Sequence, residues 1–171
     1  MKKLLVRYSV FLLALGITLP SLSVAQGVEA DPALAARYQL MDKGLKKGDV
    51  PAYLSVAIPD LVTIDDDQIF PTRKEFEARL SKDIGAFSKI YSFESKVTHL
   101  QLLGDFARAD VTSAFVGDRP DKKDPSVIHH FAVELKFQHE WRRINGEWQL
   151  TRLVELGETG TIDGKPLPVH P

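Results

Sequence analysis

Two side chains in this sequence have the chemistry and the placement for proton transfer. Asp65 is the last residue of the predicted strand 61–65 and the first of three consecutive aspartates. If burial raised its pKa, Asp65 could act as a base, whereas an acidic turn in water fits the same residues. His139 alternates with polar residues on the same face as Phe137 and Trp141. A histidine facing an apolar cavity could carry acid–base work, although a core histidine bonded to a neighbour fits this pattern too.

Four aromatic residues could line such a cavity and supply polar groups. Tyr38 and Tyr53 lie on predicted helices, Trp148 lies on the last predicted strand, and Trp141 shares the face of His139. Each of these side chains joins an apolar body to a hydrogen-bonding tip, although ordinary core packing explains them equally well. We predict that Tyr38, Tyr53, Asp65, His139 and Trp141 border one cavity.

Several other chemistries have no support in the sequence. The chain contains no cysteine, which excludes disulfides, thiolate metal sites and thiol nucleophiles. No Gly-x-Ser-x-Gly elbow and no phosphate-binding glycine loop is present. His129 and His130 are adjacent, so on a strand they point to opposite faces and cannot share a metal ion. We therefore predict neither a metal site nor a cofactor.

The elements that must position these residues begin with three helices. Asp31 and Pro32 form the start of the first, which Gly48 ends. Asp49 caps a shorter second helix that Pro59 terminates. The third begins at a capping box, Thr72 to Glu75. Apolar residues at helical spacing give the first and third helices one apolar face each: Leu34, Tyr38, Met41 and Leu45, then Phe76, Leu80, Ile84 and Phe87.

The period then changes from helical to alternating. We predict strands at about 91–103, 106–116, 128–143 and 147–156, with turns at Gly104-Asp105 and Asn145-Gly146. The segment 117–126 is predicted to be a loop, and 157–171 a loosely ordered tail. Helices followed by antiparallel strands predict an α+β fold: a cone-shaped, strongly curved, mostly antiparallel sheet with three helices on its concave face. Such a cone encloses a small-molecule pocket.

The first 25 residues have the pattern of a secretory signal. Lys2, Lys3 and Arg7 precede an apolar run, and small residues end at Ala25. That run is shorter than the roughly 20 residues that a membrane span needs, and Pro20 interrupts it. We predict cleavage after Ala25, a periplasmic or secreted protein, and no membrane attachment afterwards. The remaining chain is mildly acidic and has no basic cluster, which argues against nucleic-acid binding.

Two motifs resemble the nuclear transport factor two-like superfamily, which includes SnoaL-like and ketosteroid isomerase-like domains. The first is the helix end Lys47-Gly48-Asp49 with the segment 59–65, and the second is the closing hairpin from Trp141 to Trp148. The resemblance covers about residues 31–156 and implies a domain over 26–156 with a pocket. It leaves the reaction open, because the superfamily contains isomerases, cyclases, dehydratases, hydrolases and members with no reaction.

Carried over residue by residue, the resemblance to ketosteroid isomerase is partial. It implies that Asp65 stands at the catalytic base and Glu140 at an oxyanion-binding carboxyl, while Met41 replaces the oxyanion-binding tyrosine. Without that tyrosine, isomerase activity is not expected. The alternation turns Glu140 to the opposite face from His139 unless a β-bulge intervenes. Glu140 therefore stays a candidate ligand-binding residue on the resemblance alone.

The sequence thus predicts an exported domain that binds a small apolar or amphipathic ligand, with weak catalysis or none. One alternative is an isomerase, dehydratase or hydrolase that uses Asp65 and His139 as an acid–base pair. Another is a structural or interaction module whose cavity is filled by its own side chains. We also expect a homodimer through the outer face of the sheet. Three helices cannot cover all the apolar residues of the long strands, such as Leu100, Leu102 and Val111, and exposed apolar patches usually mark interfaces. The family resemblance points to a dimer as well.

Overall fold

The computed structural model describes residues 31–65 and 68–167. Residues 1–30, which include the predicted signal peptide, lie outside this description, as do Asp66, Asp67 and residues 168–171. Among the described residues, no helix is long and apolar enough to cross a membrane.

Three helices precede the long strands, as the sequence predicted. Helix α1 spans Pro32–Lys46, α2 spans Val50–Tyr53 and continues as a 3₁₀ turn over Leu54–Val56, and α3 spans Arg73–Ile84. The expected capping residues hold the three N-termini: Asp31, Asp49 and Thr72 each accept a hydrogen bond from a first-turn backbone N–H. The apolar face of α1 is buried in the core.

The second helix is shorter than its sequence pattern indicated. Strand β1 begins at Ala57, so Pro59 lies inside this strand instead of terminating a helix. Its pairing with β6 shifts register between Ala57 and Val62. Proline is tolerated at such an irregularity because its missing N–H breaks no regular ladder there.

Seven strands form one curved sheet that does not close. They are β1 Ala57–Asp65, β2 Gln68–Phe70, β3 Lys89–Leu103, β4 Phe106–Pro120, β5 Ile128–Ile144, β6 Glu147–Ile162 and β7 Lys165–Pro166. The order is β2-β1-β6-β5-β4-β3, and β7 pairs with β6. Only the β1–β6 pairing is parallel among the described strands. This architecture confirms the predicted α+β class and its mostly antiparallel sheet.

Both predicted tight turns are present, and their backbone explains the residue choice. Gly104, Asn145 and Gly146 have positive φ angles of 60°, 53° and 84°. Glycine adopts this region without steric cost, and asparagine tolerates it better than most residues. The turns therefore connect β3 to β4 and β5 to β6 with no intervening loop.

The C-terminal part of the chain is more regular than the loosely ordered tail that the sequence predicted. Strand β6 continues past residue 156 to Ile162, and the turn at Asp163-Gly164 leads into β7. Gly160 allows this extension, because a Cβ there would lie 2.4 Å from the carbonyl oxygen of Ala132 on β5. Strand β4 is longer too, so the loop before β5 covers only 121–127.

The two faces of the sheet differ sharply in polarity. Leu100 and Val111 are buried in the core on the inner face, so the structure does not leave them uncovered as the dimer argument supposed, whereas Leu102 is 41% exposed. The outer face carries polar pairs, including Arg108 with Glu140 at 3.0 Å. The homodimer stays a prediction that rests on Leu102 and the family resemblance.

Candidate functional site

A cavity of about 320 Å³ lies between the inner face of the sheet and the helices. Nineteen described residues line it, of which thirteen are apolar or aromatic and six are charged. The aromatic members are Tyr53, Phe76, Phe87, Phe93, Phe115, Phe131 and Phe137. Strand alternation supplies most of this lining, since Phe131, Val133, Leu135 and Phe137 project inward from β5.

The aromatic rings contact one another edge to face. Phe87, just after α3, lies 4.7 Å from Phe115 and 5.4 Å from Phe131 between ring centroids, with interplanar angles of 73° and 79°. Tyr53 lies 6.2 Å from Phe93 at 88°. Edge-to-face pairs of this kind stabilise a defined ring arrangement. The cavity wall is thus a set of mutually positioned rings from α2, the α3–β3 connection and strands β3 to β5.

The charged lining residues are unevenly arranged. Arg79 forms an ion pair with Asp83 one turn along α3. The Arg119 guanidinium lies 4.4 Å from the ring centroid of Phe131, over its face. Asp65, Glu155 and Glu158 complete the charged lining. The cavity therefore combines an apolar wall with carboxylates supplied by β1 and β6.

Tyr53 places a hydroxyl group in this mostly apolar lining. Its side chain is 5% exposed and lines the cavity. Burial raises the pKa of Tyr53, and the negative charges of Asp42 and Asp65 raise it further. Tyr53 is therefore a neutral hydrogen-bonding group at the cavity.

A second polar cluster is buried apart from the cavity. Trp141 Nε1 donates a hydrogen bond of 3.1 Å to the Tyr38 hydroxyl, which lies 3.2 Å from His139 Nδ1. The Tyr38 and His139 rings stack at 5.7 Å, 8° from parallel. None of these three residues lines the cavity. The structure thus divides the five residues predicted at one cavity: Tyr53 and Asp65 border it, and the others pack between α1 and β5.

Known structures share this arrangement of helices and strands. An NTF-2 like protein of unknown function from Shewanella oneidensis is 14% identical, covering 72% of this chain and 96% of its own, with a TM-score of 0.55. An NTF2-like protein from Cytophaga hutchinsonii is 13% identical, covering 72% and 94%, with a TM-score of 0.57. The chain has the nuclear transport factor two-like fold.

A further structure with this fold is Aln2 from a Streptomyces species. It is 8% identical, covers 77% of this chain and 93% of its own, and has a TM-score of 0.59. No protein-family model and no curated protein matches the chain. Identities this low establish the nuclear transport factor two-like fold alone, so the chemistry must be argued from the cavity.

Within this fold, burial holds His139 in its neutral form. Desolvation by burial lowers its pKa to about 3. Because the Tyr38 hydroxyl accepts from Trp141, it can donate its own proton to Nδ1, which places the imidazole proton on Nε2. Nε2 is buried without a partner among the described residues. A histidine in this state is a poor proton acceptor near neutral pH.

The sheet register separates Asp65 from His139. Thr63 on β1 pairs with Leu153 on β6, which pairs with His139 on β5. Asp65 is two residues further along β1. With strands about 4.8 Å apart and about 3.3 Å per residue, the two Cα atoms are roughly 12 Å apart. The described geometry therefore does not assemble the pair that the enzyme hypothesis requires.

Glu140 lies outside the cavity, which corrects its place among the ligand-binding candidates. Its Oε1 atom is 3.0 Å from Arg108 and 3.7 Å from Arg152, on the face opposite His139. The register irregularity beside it falls on β6, because Glu140 pairs with Arg152 while Trp141 pairs with Leu150. The bulge therefore leaves Glu140 pointing outward, as strand alternation predicted.

Sequence reasoning missed several lining residues. Arg119 was assigned to a loop and Glu158 to the tail, although both lie on strands at the cavity. Asp42 was also missed. It is a half-buried carboxylate on α1 that accepts a 3.1 Å hydrogen bond from Ser95 N, and burial raises its pKa. A polar residue next to an apolar one, as Asp42 is next to Met41, is ordinary in an amphipathic helix. The sequence therefore contained no sign that Asp42 is half-buried.

Proposed function

We propose that this chain is an exported protein that binds a small, largely apolar ligand in the cavity, with weak catalysis or none. The observation that carries this proposal is the cavity of about 320 Å³ with thirteen apolar or aromatic residues among its nineteen described lining residues. Ligand pockets are usually concave, mainly apolar and provided with a few polar groups, and this volume lies at the lower end of their range.

Two features favour binding over the alternatives. A proton-transfer enzyme of the type considered needs an acid–base pair at one substrate, but only Asp65 of the proposed pair borders the cavity. A filled-cavity module needs side chains in the space that is open here. Tyr53 and Asp65 instead offer one hydroxyl and one carboxylate to orient a ligand whose body contacts the rings.

Calorimetric titration with octanol tests the proposal, because this probe has an apolar chain and one neutral polar group. Leu135→Trp fills the cavity from β5, while Lys136→Trp adds the same side chain on the outer face one residue away. We expect saturable binding to the unaltered protein and Lys136→Trp, and loss in Leu135→Trp that remains folded by circular dichroism. Absence of binding, or full binding by Leu135→Trp, would contradict the proposal.

Export and pairing complete the proposal. The charged, apolar and small-residue regions of residues 1–25 support cleavage after Ala25. Mass spectrometry of the exported protein should therefore give a chain that starts at Gln26, and an intact Met1 would contradict export.

The homodimer has the family resemblance in its favour, and light scattering at micromolar concentration should give twice the monomer mass.

A further inference from the structure

The charged groups that line the cavity are predominantly acidic. Four carboxylates, from Asp65, Asp83, Glu155 and Glu158, accompany two guanidinium groups. The ion pair of Arg79 with Asp83 balances one charge of each sign. Asp65 is a further carboxylate of the described lining, and a carboxylate favours a positive ligand over a negative one.

Asp65 and Tyr53 point to the position of that charge. Ile64 pairs with Val154, so Asp65 and Glu155, the next residues on these parallel strands, are neighbours across β1 and β6. Tyr53 and Asp65 both line the cavity, and burial together with the negative charges of Asp42 and Asp65 raises the pKa of the Tyr53 hydroxyl. A donor-bearing cation would supply both a counter-charge for Asp65 and a hydrogen bond to the Tyr53 oxygen.

The aromatic wall suits a cation as well. Ring faces carry negative partial charge and attract ammonium and guanidinium groups. Arg119 already occupies the faces at one end of the cavity, 4.4 Å from Phe131 and 5.6 Å from Phe87. Phe137 lies six residues further along β5, about 20 Å away, level with Glu155. The Asp65 end of the cavity is thus separated from the charge of Arg119.

We infer that the ligand is an organic amine: an apolar body with one ammonium group, which lies at the Asp65 and Tyr53 end of the cavity. This inference rests on the proposed binding function and specifies its ligand class. The apolar body packs against the phenylalanine rings, and the ammonium group donates to the Asp65 carboxylate and the Tyr53 hydroxyl.

Three probes with the same chain length test the sign of the charge. Octylamine is cationic at pH 7, octanol is neutral and octanoate is anionic, so calorimetry of all three separates charge from apolar contact. We expect octylamine to bind about tenfold more tightly than octanol, and octanoate to bind most weakly.

Two aspartate variants locate the effect. Asp65→Asn keeps the shape of the side chain and removes its charge, so the affinity for octylamine relative to that for octanol should fall about tenfold. Asp60→Asn makes the same change at an exposed position of β1 and should alter neither affinity.

The outcomes distinguish this inference from the proposal beneath it. Equal affinity for octylamine and octanol, tighter binding of octanoate, or an octylamine affinity that Asp65→Asn leaves unchanged would overturn the amine inference and leave apolar binding standing. Failure of all three probes to bind the unaltered protein would overturn both.

Discussion

The hydroxyl of Tyr38 lies 3.2 Å from His139 Nδ1, and the two rings stack 8° from parallel. This contact joins α1 to the middle of β5 across 101 residues of sequence. The contact orients His139 and covers it with α1, and the burial that results lowers the pKa of the imidazole. A residue whose type suggested catalysis therefore has a structural role, and this role has measurable consequences.

The stability of the protein should depend on pH through His139. The folded-state pKa of about 3 lies below the unfolded value of about 6.5, so the unfolded chain binds more protons between these limits. This contribution is intact above pH 6.5 and is lost as the pH falls toward 3. Between pH 7 and pH 5 it amounts to about 2 kcal/mol of unfolding free energy.

The variant His139→Leu lacks this titration. Urea unfolding should therefore show a decrease between pH 7 and pH 5 that is about 2 kcal/mol smaller in the variant than in the unaltered protein. All other titrating groups are shared, so the difference reports on position 139. Identical pH dependence in the two proteins would contradict a buried neutral imidazole.

Tyr38→Phe should destabilise the protein by about 2 kcal/mol. The change removes only the hydroxyl, but Trp141 Nε1 and His139 Nδ1 then lose their partner in a buried site. Tyr91→Phe is the matched control, because its hydroxyl donates to Asp118 at an exposed position and its loss should destabilise the protein much less. If urea unfolding showed the same loss of unfolding free energy in both variants, the buried hydrogen bonds of Tyr38 would contribute no more to stability than an exposed one.

Asp31→Ala should cost about 2 to 3 kcal/mol, more than a helix cap alone. The Asp31 carboxylate accepts hydrogen bonds from Leu34 N and from Trp148 Nε1, each 3.0 Å long. Loss of the cap costs about 1 kcal/mol, and the buried indole N–H is left unsatisfied. Asp49→Ala removes only an exposed cap, so thermal unfolding should rank it as the milder change. The reverse order would contradict the role of the indole contact.

Gly44→Ala should disturb the cavity through the backbone of α2. A Cβ at residue 44 would lie 2.5 Å from Tyr53 N, so α2 must move and Tyr53 with it. We expect a loss of about 1 to 3 kcal/mol in stability and weaker octanol binding. Ala36→Gly, on an exposed position of α1, should cost about 1 kcal/mol by helix propensity and leave octanol affinity unchanged. Unchanged octanol binding by Gly44→Ala would show that this contact does not position Tyr53.

Local patterns predicted much of the fold. The aspartate and threonine caps, the apolar spacing of α1 and the Asn145-Gly146 turn each act within a few residues of sequence. Alternation on β5 correctly assigned His139 and Trp141 to the inner face and Glu140 to the outer face. These features could be predicted because the period of a short sequence segment sets which face of a helix or strand each side chain occupies.

Long-range pairing decided the rest. Alternation puts Phe137 and His139 on the same face, but only the packing of α1 covers His139 with Tyr38 while Phe137 stays open to the cavity. Likewise, only the continuation of β6 past residue 156 brings Glu158 to the cavity that Asp65 borders. The sequence by itself determined which face each side chain occupies. The tertiary structure alone decided whether that face meets a helix or open space, because the depth of a residue depends on elements distant in sequence that pack above it.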